Sequence, residues 1–394
     1  MDTNLVIEML GRRLRLAVIG GGPGSFIGAM HRTAARLDDR YELVAAALAS
    51  DPDRSRAAGV ALGLGADRSY GDGMELLDGE AGLANGADVV AVMTPNDSHL
   101  VYATAALDRG FDVIADKPLT NTFPEALELL AHVRATGLVF CLTHNYTGYP
   151  MVRQARAMVQ TGEVGEVRLV QVEYVQGGKA RESDPDPADG LPWRYDPVRG
   201  GPSLVLGDIG THAHNLTRFV TGLEVSEVAA EVGAIVPGRL VDDYAGALLR
   251  FDNGGRGSFW VTQAAAGVEN CLRIRVSGTK GTLEWMQEQP TTLSFKPIDG
   301  PAQIRTPNGP GTLPLAARAS RIVRGHPEGF HEGFANLYSD AAEAIAARRS
   351  GNTPDPEALH FPNALDGAYG VGFVAAAVAS SAAGGVWTPS PLDL

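Results

Sequence analysis

The chain is poor in cysteine and has no cluster of basic residues. Its 394 residues include two cysteines, Cys141 and Cys271, which do not form a Cys-x-x-Cys pair. This excludes a disulfide framework and a structural zinc site, so we expect both cysteines to be core residues in a reducing compartment. The formal net charge is -13. A nucleic-acid or anionic-membrane partner would therefore meet electrostatic repulsion over most of the surface.

The chain also lacks a targeting segment and a long uninterrupted apolar run. The first residues, "MDTNLVIEMLGRRLRLAVIGG", carry acidic residues before their basic pair, unlike a signal peptide. The apolar stretch near the end, "VGFVAAAVASSAAGGVW", is interrupted by Gly and Ser and is too short to cross a bilayer. We therefore predict a cytoplasmic protein in which this last stretch is a packed helix.

Two patterns of apolar residues divide the chain. Between residues 14 and 146, segments of helical length separate five strand candidates: "LRLAVIG", "YELVAAALA", "ADVVAVMTP", "FDVIADKP" and "LVFCLTHNY". Because these runs lack period-two alternation, they predict strands buried on both faces of a parallel, doubly wound sheet. From residue 167 onward, strand-length runs meet at tight turns such as Asn253-Gly254, which predicts antiparallel hairpins.

These patterns predict two domains, one of α/β class and one of α+β class. Residues 1–148 would form a Rossmann-type domain with a doubly wound parallel sheet. Residues 149–394 would form an open, mostly antiparallel sheet with helices on one face. The terminal helices are the segments that would pack back across this boundary.

A glycine-rich stretch, "GGGPGSFIGAMHR", follows the first apolar run. Such a turn between a buried strand and a helix lets backbone N–H groups approach a pyrophosphate. Gly20 and Gly22 match the first two glycines of G-x-G-x-x-G, but the third, Gly28, comes three residues late. We interpret "PGSFI" as a longer bend before a normal helix start, with Ser25 as an additional pyrophosphate contact.

The form of the dinucleotide depends on the end of the second strand, "AALASDPDRS". An acidic residue there would bind the adenosine ribose and repel a 2'-phosphate. If Asp51 starts the following helix, the discriminating position is Ala49 or Ser50, and neither is acidic. Ser50 and Arg54 would instead hold a phosphate. The predicted cofactor is therefore NAD or NADP, with the form left open.

Two further segments carry reactive side chains. In "DVIADKPLT", Lys117 ends an apolar strand, at the sheet edge where ligands of open α/β folds bind. In "GDIGTHAHN", Asp208 and His212 are four residues apart and would share one face of a helix. An imidazole is suited to take a proton from an alcohol and return it. His214 would diverge from His212 on that helix, so we predict no metal site.

Taken together, these segments resemble the family of glucose-fructose oxidoreductase, inositol dehydrogenase and the rhizopine catabolism protein (Gfo/Idh/MocA). The resemblance covers nearly the whole chain. It rests on the glycine-rich turn followed by a helical His31 and on five ordered motifs: "TPNDSH" at 94–99, "DKP" at 116–118, "WRYDP" at 193–197, "GDIGTHAHN" at 207–215 and "SGTKGTLEW" at 277–285. It implies a dinucleotide-binding domain and a substrate domain whose sheet makes homodimers or homotetramers.

The resemblance also implies roles for individual residues. Lys117 would bind the reacting hydroxyl, and its bond to Pro118 is commonly cis in relatives; Asp208 and His212 would be the acid and the general base. The residues expected at the cofactor, from the motifs and the resemblance together, are Gly20, Gly22, Ser25, Phe26, Ile27, Gly28, Ser50, Arg54, Thr94, Pro95, Asn96, His99, Asp116 and Lys117. Those expected at the substrate are Lys117, Asn145, Tyr146, Trp193, Arg194, Asp208, His212 and His326.

The predicted function is hydride transfer between NAD or NADP and a secondary alcohol or ketone of a sugar, glycoside or cyclitol. Three alternatives stay open. A redox-neutral enzyme on the same scaffold would oxidise a sugar transiently and cleave a glycosidic bond. A non-enzymatic regulator would only bind the dinucleotide, and a biosynthetic reductase would act on an imine or carbonyl.

Overall fold

The structure, a computed structural model, describes residues 4–181, 184–186 and 190–394. It divides into two compact units. Unit 1 comprises Met1–Thr120, Pro124–Gly148 and Phe330–Leu365, and unit 2 comprises Asn121–Phe123, Tyr149–Gly329 and Asp366–Leu394. The sequence places the boundary at residue 148, and the structure assigns residues 330–365, which include the first of the terminal helices expected to pack back across that boundary, to unit 1.

Unit 1 is built on a five-stranded parallel sheet in the order β2-β1-β3-β4-β5. Its strands are β1 (Leu14–Gly20), β2 (Tyr41–Ala47), β3 (Val89–Met93), β4 (Asp112–Ala115) and β5 (Phe140–Leu142). Its α-helices, with α6 beginning in unit 2, are α1 (Leu5–Leu10), α2 (Phe26–Leu37), α3 (Pro52–Ala61), α4 (Gly73–Ala81), α5 (His99–Asp108), α6 (Phe123–Thr136) and α11 (Phe330–Ser350). Every residue of β3, β4 and β5 is buried, which explains their unbroken apolar runs. The predicted doubly wound sheet is confirmed.

Unit 2 contains a nine-stranded sheet in the order β13-β12-β11-β10-β6-β9-β8-β7-β14. Its strands are β6 (Val167–Val175), β7 (Val225–Gly233), β8 (Tyr244–Phe251), β9 (Arg256–Thr262), β10 (Cys271–Gly278), β11 (Gly281–Met286), β12 (Leu293–Pro297), β13 (Gln303–Arg305) and β14 (Thr388–Pro389). Its remaining α-helices are α7 (Pro150–Gln160), α8 (Pro197–Gly200), α9 (Thr211–Thr221), α10 (Pro314–Arg318) and α12 (Ala364–Ala382, which begins in unit 1). The pairing of β6 with β9 is parallel and the other pairings are antiparallel. The predicted fold class is therefore confirmed, although β7, β12, β13 and β14 were not predicted.

Helix α12 accounts for the last apolar stretch. Within the described residues, one helix, Pro356–Ala382, is long and apolar enough to span a membrane, and 67% of its most apolar window is buried inside the protein. That burial is typical of a core helix, as predicted. Cys141 is fully buried, as expected, but Cys271 at the start of β10 is only half-buried.

Helix α11 joins unit 1 through a buried aromatic cluster. The Nδ1 atom of His31 on α2 lies 2.7 Å from the Tyr338 hydroxyl, and its ring lies 4.8 Å from that of Phe334. The Tyr41 hydroxyl donates to the backbone oxygen of Tyr338 over 2.8 Å. Burial of these rings against β1 and β2 supplies the apolar surface that fixes α11 in this unit.

Two buried carboxylates hold the other end of α11. Asp112 accepts hydrogen bonds from Arg348 and Arg349, and Arg349 also donates to the backbone oxygen of Asp88. Both aspartates are almost fully buried. A buried charge is tolerated only when it is paired. Arg348 and Arg349 are therefore needed as partners of these buried carboxylates.

We predict that His31 makes the stability of unit 1 sensitive to acid. Burial lowers the pKa of His31 to about 4, whereas the unfolded chain binds this proton near pH 6.5. The free energy of unfolding should therefore fall as the pH drops below about 6.5, by about 2 kcal/mol at about pH 5 from this group. Urea unfolding of the wild type and His31→Gln at about pH 7 and pH 5 measures the difference.

The variant His331→Gln, at an exposed position of α11, is the control for a histidine substitution. If the wild type and His31→Gln lose the same free energy between the two pH values, His31 is not responsible.

Candidate functional site

The turn between β1 and α2 brings backbone segments together with no room for side chains. A Cβ on Gly22 would collide with the backbone oxygen of Leu48, and one on Gly28 would collide with the backbone of Gly21. Gly20, with a φ of 82°, adopts the left-handed conformation, and a Cβ there would lie 2.6 Å from the Met93 oxygen. The close packing expected of the third fingerprint glycine is thus found at Gly28, after the longer bend.

This turn lies where ligands of open α/β sheets bind. In the order β2-β1-β3, the chain passes from β1 to β2 on one side of β1 and then crosses to β3 on the other side. The carboxyl end of β1 is therefore a topological switch point. The bare backbone of the turn and the start of α2 form a cradle that fits a pyrophosphate.

Ser25 is the N-cap of α2. Its Oγ accepts a hydrogen bond from the Gly28 N–H over 3.2 Å, so the hydroxyl keeps a proton to donate to an anion at this helix end. Arg32 donates to the Gly21 oxygen over 2.6 Å and braces the turn. Phe26 is 67% exposed and Ile27 is half-buried at the first helical turn.

Asp51 is the N-cap of α3, since its Oδ1 accepts the Arg54 N–H over 2.8 Å. The discriminating positions are therefore Ala49 and Ser50, as the sequence suggested. Ser50 and Arg54 are exposed, and neither Ala49 nor Ser50 offers a carboxylate to exclude a 2'-phosphate.

His99 joins the turns that follow β3 and β4. Its Nε2 lies 2.9 Å from the backbone oxygen of Thr94 and its Nδ1 lies 2.8 Å from that of Pro118. The side chain is fully buried. Its two ring nitrogens thus engage protein carbonyls, so we propose that His99 serves the cofactor site by holding these turns.

The turn after β4 carries Lys117. The Lys117–Pro118 peptide bond is cis, as the resemblance implied. Asp116 Oδ1 accepts the Lys117 N–H over 2.9 Å and the Thr143 hydroxyl over 3.1 Å. The backbone that presents Lys117 is thereby tied to the end of β5.

Asn145 and Tyr146 form a short 3-10 helix after β5, and both are buried. The Tyr146 ring lies 6.4 Å from that of Phe330. The Nδ2 of Asn145 has no hydrogen-bond partner among the residues that the structure describes. A buried donor without a partner is rare in native proteins, which favours Asn145 as a ligand contact.

In unit 2, Asp208 and His212 lie on one continuous helical segment, but the segment is not a regular α-helix as predicted. Asp208 belongs to a π-helical turn, Leu206–Gly210, and His212 to the first turn of α9. Such π-turns occur frequently at functional sites. Asp208 Oδ2 accepts a hydrogen bond from Gln263 Nε2 over 2.8 Å, and the buried His212 ring lies 6.3 Å from that of Tyr174.

The start of this helical segment is capped by a residue that the sequence did not single out. Asp242 accepts the N–H groups of Leu204 and Val205 over 2.7 and 3.1 Å, and it accepts the Ser203 hydroxyl. Burial raises the pKa of Asp242, while these hydrogen bonds lower it. A capping carboxylate fixes the axis of the helix that carries Asp208 and His212.

His214 is a core residue. Its ring stacks on Phe373 at 4.7 Å, and burial lowers its pKa to about 3. Across the described ranges, no group of three or more histidine, cysteine or acidic side chains is arranged to hold a metal ion.

The remaining predicted substrate residues lie on the surface of unit 2. Trp193, Arg194 and Tyr195 form a short 3-10 helix, in which the Arg194 guanidinium covers the Trp193 ring at 4.5 Å. His326 is exposed, with Nδ1 3.2 Å from the Val323 oxygen. Trp193 and Arg194 are therefore accessible to a ligand, whereas His326 contacts its own loop.

Two family models match the sequence. Residues 14–145 match the oxidoreductase family with an NAD-binding Rossmann fold, and residues 152–284 match the GFO/IDH/MocA C-terminal domain. Together the two matches cover more than half of the chain.

Relatives and solved structures match both units. An uncharacterised oxidoreductase of Bacillus subtilis, YfiI, is 32% identical over 96% of this chain and 98% of its own. The levoglucosan dehydrogenase of Pseudarthrobacter phenanthrenivorans is 27% identical over 80% of this chain and 88% of its own.

Among solved structures, an oxidoreductase from Sinorhizobium meliloti is 48% identical, with a TM-score of 0.86 over 95% of this chain and 99% of its own. An inositol dehydrogenase homologue from Azotobacter vinelandii, solved with NAD+, is 36% identical, with a TM-score of 0.89 over 96% of this chain and 97% of its own. The same homologue with NADH and myo-inositol is 34% identical, with a TM-score of 0.87 over 97% of this chain and 98% of its own.

We predict that Ser25→Ala weakens dinucleotide binding. Loss of the cap should also cost about 1 kcal/mol of unfolding free energy. Ser25→Thr retains a hydroxyl and should keep both properties near the wild-type values. Titration of NADH fluorescence measures the affinity for the dinucleotide, and thermal unfolding measures the contribution of the N-cap to stability. Unchanged affinity in Ser25→Ala would show that the hydroxyl only caps α2.

Proposed function

The chain belongs to the Gfo/Idh/MocA family of NAD(P)-dependent oxidoreductases, and we propose that it transfers hydride between the nicotinamide and a carbinol carbon of a cyclitol, sugar or glycoside. The named substrates of its relatives, myo-inositol and levoglucosan, are polyhydroxylated rings. We propose the cytoplasm as its location, consistent with the low cysteine content of two residues in 394.

The observation that carries the proposal is the placement of Asp208 and His212 on one helical segment of unit 2. Asp208 is held as a hydrogen-bond acceptor by Gln263 and sits one helical turn before His212, on a segment capped by Asp242. A carboxylate next to an imidazole stabilises the imidazolium that forms when a hydroxyl proton is taken. Proton transfer of this kind is what oxidation of an alcohol requires.

We assign three roles to the chain's own residues. His212 takes the hydroxyl proton in oxidation and returns it in reduction. Asp208 orients and stabilises the imidazole, and Lys117 stabilises the developing alkoxide oxygen. When bound, the nicotinamide supplies the hydride acceptor or donor. Gly20, Gly22, Gly28 and Ser25 would hold its pyrophosphate.

A screen of both dinucleotides against a panel of polyols tests the proposal. The panel contains myo-inositol, aldoses, levoglucosan, other glycosides and the corresponding ketones. We expect reduced nicotinamide to accumulate with at least one polyol. Glycoside cleavage without net reduction would favour a redox-neutral enzyme. Dinucleotide binding without turnover of any panel member would favour a regulator and contradict the proposal.

We predict that Lys117→Ala and His212→Ala each lower kcat by at least about 100-fold, because each removes a group that acts on the reacting hydroxyl. The dissociation constant of NADH should change by less than about threefold, since the glycine-rich turn is intact. Lys280→Ala, at an exposed hairpin position, is the control. Wild-type turnover in either active-site variant would refute its assignment.

We further propose that the chain forms homodimers or homotetramers through the outer face of the nine-stranded sheet. This outer face is defined by the strand register, and its exposed apolar residues are Leu169, Leu248, Trp260 and Ile304. Arg273 pairs there with Glu173 and Glu284. Apolar side chains among charges of both signs suit contact with a second copy of the same face.

We expect Trp260→Glu to shift the protein to monomers, because it places a charge within this outer face. Size-exclusion chromatography with light scattering measures the mass. Val60→Glu, at an exposed position of α3, controls for an added charge. A wild-type monomer, or an unchanged mass in Trp260→Glu, would refute this interface.

A further inference from the structure

The segments that follow β6 and β9 continue side by side in unit 2. The Gln176 N–H donates to the Thr262 oxygen and the Lys179 N–H donates to the Gln263 oxygen, each over 2.8 Å. Lys179 and Gln263 therefore share one corner of the unit. Through the hydrogen bond from Gln263, this corner also contains Asp208.

Gln263 presents a buried acceptor at this corner. Its side chain is 5% exposed, and its Nε2 donates to Asp208 Oδ2 over 2.8 Å and to Gln176 Oε1 over 3.3 Å. These two acceptors fix the amide orientation, because the reversed amide would set its oxygen against the Asp208 carboxylate. The Oε1 atom of Gln263 is buried and has no hydrogen-bond partner in the part of the chain that the structure describes.

Lys179 presents a buried donor at the same corner. Its Nζ has no hydrogen-bond partner within the described ranges and lies 4.9 Å from the centre of the Tyr195 ring. Burial lowers the pKa of Lys179, while Asp208 and Asp184 act in the opposite direction. Asp184 is already bound to Arg239.

Asp242, a further carboxylate near Lys179, also has its own hydrogen-bond partners. Asp242 accepts the Ser203 hydroxyl and two N–H groups at the helix start. Arg239, the neighbouring cation, is bound by Asp184 and Asp243. Among the described residues, the Lys179 ammonium therefore has no hydrogen-bond acceptor, which makes it a donor available to a ligand or to solvent.

We propose that Lys179 Nζ and Gln263 Oε1 together bind a second hydroxyl of the substrate, one that does not react. A hydroxyl accepts from the ammonium through its oxygen and donates its proton to the amide oxygen. A carboxylate has no proton for Gln263 Oε1 and is therefore disfavoured. The inference rests on the proposed function, which supplies the reacting hydroxyl.

The position of this second hydroxyl defines the substrate class. Oε1 and Nε2 are bonded to the same carbon of the Gln263 amide. Because Nε2 donates to the Asp208 carboxylate, Oε1 also lies close to that carboxylate. A hydroxyl bound there is a near neighbour of the carbinol that reacts. The substrate is then a vicinal diol within a polyol, and an isolated secondary alcohol would be a poor substrate.

The test removes the hydroxyl from the substrate and its partners from the protein. The probes are myo-inositol with its monodeoxy derivatives, and the vicinal cyclohexanediol with cyclohexanol. Lys179→Met and Gln263→Met should each lower kcat/KM for the diol by about 10- to 100-fold. Lys179→Met should differ from the wild type by less than about threefold on the analogue that lacks the hydroxyl, whereas Gln263→Met should lose activity on both substrates because it also removes the hydrogen bond to Asp208. Lys179→Arg should recover part of the loss, and Lys280→Met is the matched control.

Calorimetric binding of the same probes to the protein–NADH complex separates the two proposals. Polyol binding that both variants weaken, without turnover by the wild type, would support the hydroxyl site and refute the oxidoreductase function. Equal losses of Lys179→Met on the diol and on the deoxy analogue, or no loss of this variant on either, would refute the hydroxyl site and leave the function standing. NADH affinity at the wild-type level shows that the variants are folded.

Discussion

Contact between bare backbone segments is the constraint on which the dinucleotide-binding unit depends. At the end of β1, Gly22 packs against the Leu48 carbonyl and Gly28 against the backbone of Gly21. Any side chain at these two positions would separate α2 from the sheet and cover the N–H groups that face an anion. Pro23 and Gly24, in the longer bend between them, are exposed. The additional residues of the bend therefore lie at the surface, and the backbone contacts of Gly22 and Gly28 on either side of them are kept.

The acid–base side of the protein depends on buried carboxylates that have defined partners. Asp242 holds the start of the helical segment, and Gln263 holds Asp208 within it. Burying each carboxylate costs free energy that its hydrogen bonds offset only when all partners are present. Gln263 Oε1 and Lys179 Nζ, which have no hydrogen-bond partner among the described residues, are the atoms that we propose a ligand completes.

Local patterns allowed much of this protein to be predicted. The five buried strands of unit 1, the glycine turn and Asp51 as a helix cap all follow from residues that are neighbours in sequence. Partners brought together by long-range pairing were not predictable in this way. Asp242 caps a helix that starts 38 residues earlier. Nothing in the sequence around this loop aspartate indicates that it is a helix cap. The expectation that the terminal helices pack back across the domain boundary did not identify the contacts of α11, which are made with His31, Asp88 and Asp112.

The irregular features were missed for a related reason. The four-residue spacing of Asp208 and His212 is typical of an α-helix. The π-turn that contains Asp208 cannot be recognised from that spacing. The short strands β13 and β14, of three and two residues, are set by pairing with their neighbours rather than by their own composition.

Isotope tracing tests the central claim, net hydride transfer from a polyol carbon, most directly. The protein is incubated with NAD or NADP and carbon-deuterated myo-inositol or levoglucosan, and the dinucleotide and sugar products are analysed by mass spectrometry. We predict one deuterium on each reduced nicotinamide, together with an equal amount of ketone. Deuterium retained in a cleaved or unchanged sugar, with no labelled reduced nicotinamide, would contradict the claim.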